Sequence, residues 1–261
     1  MDKLHVIKIG GNIIDNPGLL DQFLDEFTQI PSPKILVHGG GKLATKMASK
    51  LDIPTQMVEG RRITDAAMLD VVTMIYGGLI NKKIVAGLQK RGCNALGLTG
   101  ADAQTITATK RPVKTIDYGF VGDIVEVNTP IIYQFLRMGI TPIFAPLTAD
   151  RDGNMLNTNA DTQASALATA LSKELPTSLY YSFEKAGVLQ NAQDDNSVIS
   201  QITPAFYAEL KEKKVITDGM IPKLDNAFTA IQNGVENVWI GQASSLLSFL
   251  NGQETGTLLS I

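Results

Sequence analysis

Glycines close two apolar runs in this sequence, and charged residues that handle anions stand beside them. LHVIKI runs into Gly10-Gly11, and KILVH runs into Gly39-Gly40-Gly41. A glycine at the carboxyl end of a strand lets a ligand approach backbone N–H groups closely, and in open α/β sheets that edge is where ligands bind. Lys8 stands two residues before Gly10, so the first loop has the makings of a phosphate cradle in which amides supply dipoles and Lys8 a mobile positive charge. The second loop, His38 to Lys42, suits a carboxylate or an amide in the same way. Neither is a GxxxxGK[ST] loop, and no GxGxxG fingerprint occurs. Taken singly, each loop reads equally well as a tight turn between strand and helix.

Two later segments add polar groups. TNADTQASALATAL reads as a helix entered through polar residues, with Asn157 and Asp161 four apart near one face of its first turn. A carboxylate there gains from the helix dipole and is placed to hold a catalytic lysine; simple capping is the plainer reading. In ITDGMIPKLDNA, Gly219 and Pro222 punctuate a helix start and put Lys223 in its first turn. Lysine favours the opposite helix end, so this position points to an anionic ligand, with a solvated lysine as the alternative. Other residues carry less. His5 and His38 are too far apart to propose as a metal pair, no metal ligands are assigned, and His38 reads as hydrogen-bonded at its strand end. Cys93 reads as a small core residue, Asp194-Asp195 as a solvated turn, Lys211 to Lys214 as a solvated helix end, and Ser244-Ser245 lacks a nucleophile's context.

These groups need a scaffold that brings strand ends together. Short apolar runs such as LHVIKI, KILVH, NALGLTG and TPIFAPL read as strands buried on both faces, as in a parallel sheet. Helical spacing fills Leu19 to Ile30, Leu43 to Leu51 and Ala66 to Lys90, the last capped by Thr64 and broken near Gly77-Gly78. TITATKRPV and GFVGDIVEV read as a half-polar hairpin. A second β-α series follows: helix Asn157 to Ala170, strand SLYYSF, helices Pro204 to Lys214 and Leu224 to Asn233, strand NVWIG, helix ASSLLSFL and edge strand GTLLS. Alternation of this kind implies right-handed crossovers with helices on both sheet faces. The expectation is one continuous, mostly parallel sheet in a single domain over residues 1–261, with lobes of 1–170 and 171–261.

Composition narrows the function classes. The 261 residues carry 23 basic and 26 acidic side chains, a balance that argues against general affinity for nucleic acid or an anionic membrane. The single cysteine excludes an intrachain disulfide and a multi-cysteine zinc site, and fits a reducing cytoplasm. MDKLHVIKIGG lacks a signal peptide's apolar segment, and no uninterrupted apolar run reaches ~18 residues. Glycine is enriched, 23 in 261 against a usual ~7%.

IKIGGN, ILVHGGGK, EGRRIT, NTNADTQA and ITDGMIPKL, in this order and spacing, resemble the amino acid kinase family, on its branch that phosphorylates N-acylglutamates in arginine biosynthesis. The resemblance runs from residue 4 to the C-terminus. It implies a three-layer αβα sandwich around a mostly parallel sheet, an N-terminal lobe for the acyl amino acid and a C-terminal lobe for ATP carrying Mg²⁺. By resemblance, Lys8 and Lys223 stabilise charge on the transferring phosphoryl group and Asp161 organises both. Gly10 and Gly11 line the phosphate path, and Gly40 and Gly41 contact the substrate near its reacting end. Arg62 clamps an α-carboxylate, Asn157 bonds the acylated amine region, and Val215, Ile216, Thr217, Asp218, Gly219 and Met220 border the nucleotide. The implied reaction is transfer of the ATP γ-phosphoryl group to the γ-carboxylate of an N-acyl-L-glutamate, which needs positioning and cations more than covalent help.

The sequence departs from the family pattern in two places. YSFEKAGVL puts Phe183-Glu184 where the family usually has Asp-Val beside the nucleotide, so adenine and ribose contacts do not carry over. TGAD at Thr99 to Asp102 replaces a Gly/Lys-rich turn, which opens the acyl pocket to a larger group such as succinyl as well as acetyl. The absence of an extra N-terminal helix leads us to expect a homodimer insensitive to arginine. Other family kinases, and a catalytically silent binding protein, are the competing readings.

Overall fold

The computed structural model describes residues 3–58, 60–191, 193–216 and 220–261. Among these the first half of the chain runs β1 (Leu4–Ile9), α1 (Gly11–Asp15), α2 (Pro17–Gln29), β2 (Lys34–His38), α3 (Gly41–Lys50), a ribbon of β3 (Met57–Val58) and β4 (Arg61–Arg62), α4 (Ala66–Val72), a π-helical segment (Thr73–Ile80), α5 (Asn81–Lys90), β5 (Ala95–Leu98), β6 (Ile106–Lys110) and β7 (Gly122–Val127). It continues through α6 (Thr129–Arg137), β8 (Thr141–Phe144), β9 (Leu147–Ala149), β10 (Met155–Asn157), α7 (Ala160–Leu171) and β11 (Thr177–Phe183). Then come β12 (Gln201–Ile202), α8 (Pro204–Glu212), α9 (Ile221–Gln232), β13 (Asn237–Gln242), α10 (Ala243–Leu250) and β14 (Thr257–Leu259).

The main sheet has eight strands in the order β12-β14-β13-β11-β1-β2-β8-β5, parallel throughout except for β13 against β14. Its strands are short and apolar because both faces are covered. Alternation sorts their side chains. Leu4, Val6, Ile35 and Val37 pack into one core with α6, α7, α8 and α9, while Ile7, Ile9 and Leu36 pack into another with α2, the long helix and α10. The period of two therefore turns Lys8 toward α7 and α9, and His38 toward the long helix. That sorting decides which side chains reach the site.

Helix starts follow local chemistry. Asn16 accepts from the amides of Gly18 and Leu19 ahead of α2, and Asn159 accepts from those of Asp161 and Thr162 at the start of α7. Three expectations need correction. The cap of the Ala66 helix is Asp65, whose carboxylate accepts from Met68 N at 2.8 Å, whereas Thr64 is extended and bonded to the hairpin loop. Asn157 ends β10, so it shares no helix face with Asp161. Gly77-Gly78 does not break the long helix: the backbone widens into the π-helical segment and continues to Lys90.

The sheet is also not continuous. β10-β9-β6-β7 form a separate four-stranded sheet, with a bulge between Thr107 and Ala108, and β14 is flanked by the two-residue edge strand β12. Half-polar strands cannot be buried on two faces, which is why 105–127 leaves the main sheet. The 25-residue helix Ala66–Lys90 is long and apolar enough by composition to cross a bilayer, but Met68, Val71, Val72, Ile75, Ile80, Ile84 and Leu88 are buried in the second core.

One crossing ties the small sheet to the arginine strand β4. Thr64 N donates to Tyr118 O at 3.0 Å and Phe120 N to Thr64 O at 2.7 Å, around Gly119 at φ +71°. A Cβ on Gly119 would lie 2.2 Å from Thr64 O, so the backbones touch only because the residue is glycine. Gly119→Ala should therefore cost about 2 kcal/mol and lower Tm by roughly 4–8 °C in calorimetry; an unchanged Tm would contradict the close crossing.

Candidate active site

The two glycine loops meet at the carboxyl ends of β1 and β2. Gly39 N donates to Ile9 O at 3.0 Å, and the Gly39 α-carbon faces Gly11 N. Gly10 has ordinary extended backbone, and its role is closeness: a Cβ there would sit 3.9 Å from Lys8 Nζ.

Lys8 crosses from β1 to the first turn of α7, where Nζ lies 2.7 Å from Asp161 Oδ1. Both side chains are largely buried, 14% and 24% exposed. Lys223 occupies the first turn of α9 and lines the same cleft, with Tyr181, Ser182, Asn226 and Ile240 completing the wall. Burial alone would push the Asp161 carboxyl up, but attraction to Lys8 and then to Lys223 outweighs it and holds the group below the usual carboxylate range. Lys223 is pushed down, first by burial and also by Lys8, while Asp161 and Glu184 act in the opposite direction. Among the described residues that line it, the cleft carries two cations, Lys8 and Lys223, and one carboxylate, Asp161. That is the charge pattern for three equatorial phosphoryl oxygens.

A second cleft lies on the other side of the α7 N-terminus. Gly39, Gly40 and Gly41 form its floor and Arg62, Asn157 and Arg111 contribute polar walls. Arg62 Nη2 donates to Gly41 O and to Thr45 Oγ1, both at 2.9 Å, so the guanidinium is anchored under the loop. Asn157 Nδ2 donates to Thr64 Oγ1 at 2.9 Å, and Thr64 Oγ1 donates to Arg62 O at 3.1 Å. Gly40 takes φ +153°, and a Cβ there would strike Ile80 Cδ1 at 2.3 Å. Only glycine fits that turn.

The structure thus brings Lys8, Asp161 and Lys223 to one cleft, with Gly10 beside Lys8, and Gly40, Gly41, Arg62 and Asn157 to its neighbour. Thr217, Asp218 and Gly219 of the expected nucleotide segment lie outside the described residues. Of the rest, Ile216 and Val215 pack with the α7–α9 core together with Met220. Glu184, at the departure from the family pattern, faces Lys42 at 3.6 Å, and its carbonyl accepts from Gln242 Nε2.

Sequence reasoning missed several residues of these walls. Tyr181, whose hydroxyl donates to Asp161 O at 3.2 Å, reads from sequence as another apolar strand residue. Asn226, three residues after Lys223, had a usable signal in helical spacing. Arg111 lay in a strand read as merely half-polar; it pairs with Asp123 while its Nη1 has no hydrogen-bond partner.

Because the folded pKa of Asp161 is depressed, its pairing contributes stability that is fully present above the ordinary carboxylate range. That contribution is lost as pH falls through the folded value. Asp161→Asn should cost about 3 kcal/mol at pH 7, since it removes the carboxylate that pairs with the largely buried Lys8, and the gap to wild type should narrow below about pH 4. Thermal melts of both proteins across pH check this; a gap equally wide at pH 3 and pH 7 would contradict the pairing.

Similarity to known proteins agrees with this geometry. Residues 3–242 match the model of the amino acid kinase family. An acetylglutamate kinase of Cytophaga hutchinsonii is 57% identical over 99% of both chains. One of Phocaeicola vulgatus is 53% identical over 94% of this chain and 95% of its own. A crystal structure from Streptococcus mutans UA159 superposes with a TM-score of 0.77 at 29% identity, over 100% of this chain and 99% of that one. With the parallel sheet, the paired glycine loops and the lysine–aspartate–lysine cleft in place, the chain belongs to the amino acid kinase family.

Proposed function

We propose that this protein is an ATP-dependent kinase of N-acyl-L-glutamate, with N-acetyl-L-glutamate as acceptor, that forms the γ-acyl phosphate and ADP in arginine biosynthesis. The observation that carries it is the Lys8–Asp161 pair with Lys223 in one cleft, next to a glycine-floored pocket holding Arg62. The names of the relatives support the acceptor.

In this reading residues 1–170 hold the acyl amino acid and 171–261 the nucleotide. Arg62 supplies the positive charge that faces the α-carboxylate, and Asn157 bonds the acylated amine region. The γ-carboxylate nucleophile is ionised at pH 7, so no general base is needed. Lys8 and Lys223 take up the charge spread over the transferring group, and Asp161 keeps the two cations apart and aimed. Gly10 and Gly11 let the phosphates pass close to backbone, and Val215 to Met220 border the nucleotide. Mg²⁺ enters on the ATP phosphates as part of the substrate.

A longer acyl group is the second reading. Arg111 adds a guanidinium to the pocket with Nη1 unpaired, which suits an acyl chain ending in a carboxylate, such as succinyl. A homodimer belongs to the same proposal: β5 leaves one edge of the main sheet unpaired, and Met74 and Leu79 are exposed on the long helix.

Coupled ADP release with N-acetyl- and N-succinyl-L-glutamate side by side tests the acceptor, and aspartate, glutamate and carbamate serve as controls. Turnover should require the N-acyl group. Lys8→Arg should cut kcat by about 10²-fold or more while the KM for ATP moves only a few-fold. A kcat near wild type would remove Lys8 from the chemistry. Sedimentation at micromolar concentration should return the dimer mass, and a monomer would contradict that part of the proposal.

A further inference from the structure

His38 is fully buried at the end of β2, and the mechanism above does not use it. Its surroundings fix its protonation state. Nδ1 lies 2.8 Å from Gly39 O, which only accepts, so Nδ1 carries the proton. Nε2 lies 3.2 Å from Asn81 Nδ2. The Asn81 amide cannot be turned around: its nitrogen also donates to Ile143 O at 2.9 Å, and its oxygen accepts from Lys82 Nζ at 3.1 Å. Nε2 is therefore bare and accepting, and the imidazole is neutral. Burial pushes its pKa down to about 4, with Lys82 acting in the same direction against the Gly39 carbonyl.

The consequence falls on the loop that floors the acceptor pocket. In a trans peptide the carbonyl and the following N–H point opposite ways. With Gly39 O held by the ring, Gly40 N–H is turned away from it, and none of the described hydrogen bonds uses that amide. The π-helical segment sets the other half of the clamp. It ends at Ile80, which presses on Gly40 with Tyr76, and is followed at once by Asn81. Such wide turns recur at functional sites.

We infer that His38 is a positioning residue for the phosphoryl acceptor: held by Asn81 as the Nδ1–H tautomer, it grips the Gly39 carbonyl and so aims the Gly40 amide into the acyl-glutamate pocket. The inference rests on the kinase reading for its kinetic consequence and on hydrogen-bond geometry alone for the tautomer.

Two isosteres separate the functions of the ring nitrogens. Asparagine places its amide nitrogen where Nδ1 stands, and glutamine where Nε2 stands. His38→Asn should keep the KM for N-acetyl-L-glutamate within about threefold of wild type. His38→Gln should raise it by about tenfold or more, with the KM for MgATP little changed. The Gly40 amide resonance of the substrate-free protein should move in the glutamine variant and stay near wild type in the asparagine one. The ring ¹⁵N shifts of wild-type His38 should report a neutral Nδ1–H tautomer from pH 5 to 9, which decides the matter even if a variant fails to fold. Equal effects of the two isosteres, both KM values rising together, or an Nε2–H ring would overturn the inference. Absence of acyl-glutamate turnover by the wild type would overturn the parent reading, and the ring and amide signals would still decide this one.

Discussion

The lysine–carboxylate contact between β1 and α7 is the constraint around which the molecule is arranged. Lys8 must leave a strand at the centre of the sheet and meet Asp161 at a helix N-terminus, 2.7 Å away. Charges removed this far from water are tolerable only when paired, and Lys223 brings a second cation to the same cleft. In the proposed reading, positive charge in this cleft serves catalysis, because an entering phosphoryl group cancels it. A site of this kind is complementary to transferring charge before substrate arrives, so little reorganisation is left for the reaction itself.

In the proposed reading, the surrounding elements set the direction from which the two substrates reach that contact. Asn159 caps α7 and orients its first turn, so that Asp161 faces one cleft while Thr162 lines the other. The parallel strands bring both glycine loops to the same edge and join them by one hydrogen bond from Gly39 to Ile9. The separate four-stranded sheet supplies Arg111, Val121 and Gly122 to the glycine-floored pocket, and the Thr64–Gly119 crossing fixes it to the strand that carries Arg62. One helix start divides the two clefts, which is the arrangement in-line transfer between two bound substrates requires.

Much of this was legible in the sequence. Buried parallel strands announce themselves as continuous apolar runs, and glycines at their ends mark the ligand edge, so Lys8, Gly10, Gly40 and Gly41 could be placed from pattern alone. Lys223 was found because lysine in a first helical turn is out of its usual place. Arg62, Asn157 and the pairing of Asp161 with Lys8 took their roles from resemblance, since a contact between residues 8 and 161 leaves no local signal. The π-helical segment was invisible for a related reason: Gly77-Gly78 predicts a break by propensity, and the helix continues where Ile75, Tyr76 and Ile80 are buried in the second core. Tyr181 and Arg111 were missed because a tyrosine in a buried strand and an arginine in a half-polar one look like structure until the pocket is closed around them.

In the proposed reading the Lys8–Asp161–Lys223 cleft binds the transferring phosphoryl group more tightly than it binds ground-state nucleotide. Titration calorimetry with MgADP, aluminium fluoride and N-acetyl-L-glutamate, set against MgATP alone, measures that difference in wild type and in Lys8→Met. The variant should lose about 10²-fold or more of its affinity for the fluoride complex while MgATP affinity falls less than about tenfold. Equal losses for both ligands would show that Lys8 only holds nucleotide and would contradict its role at the transferring group.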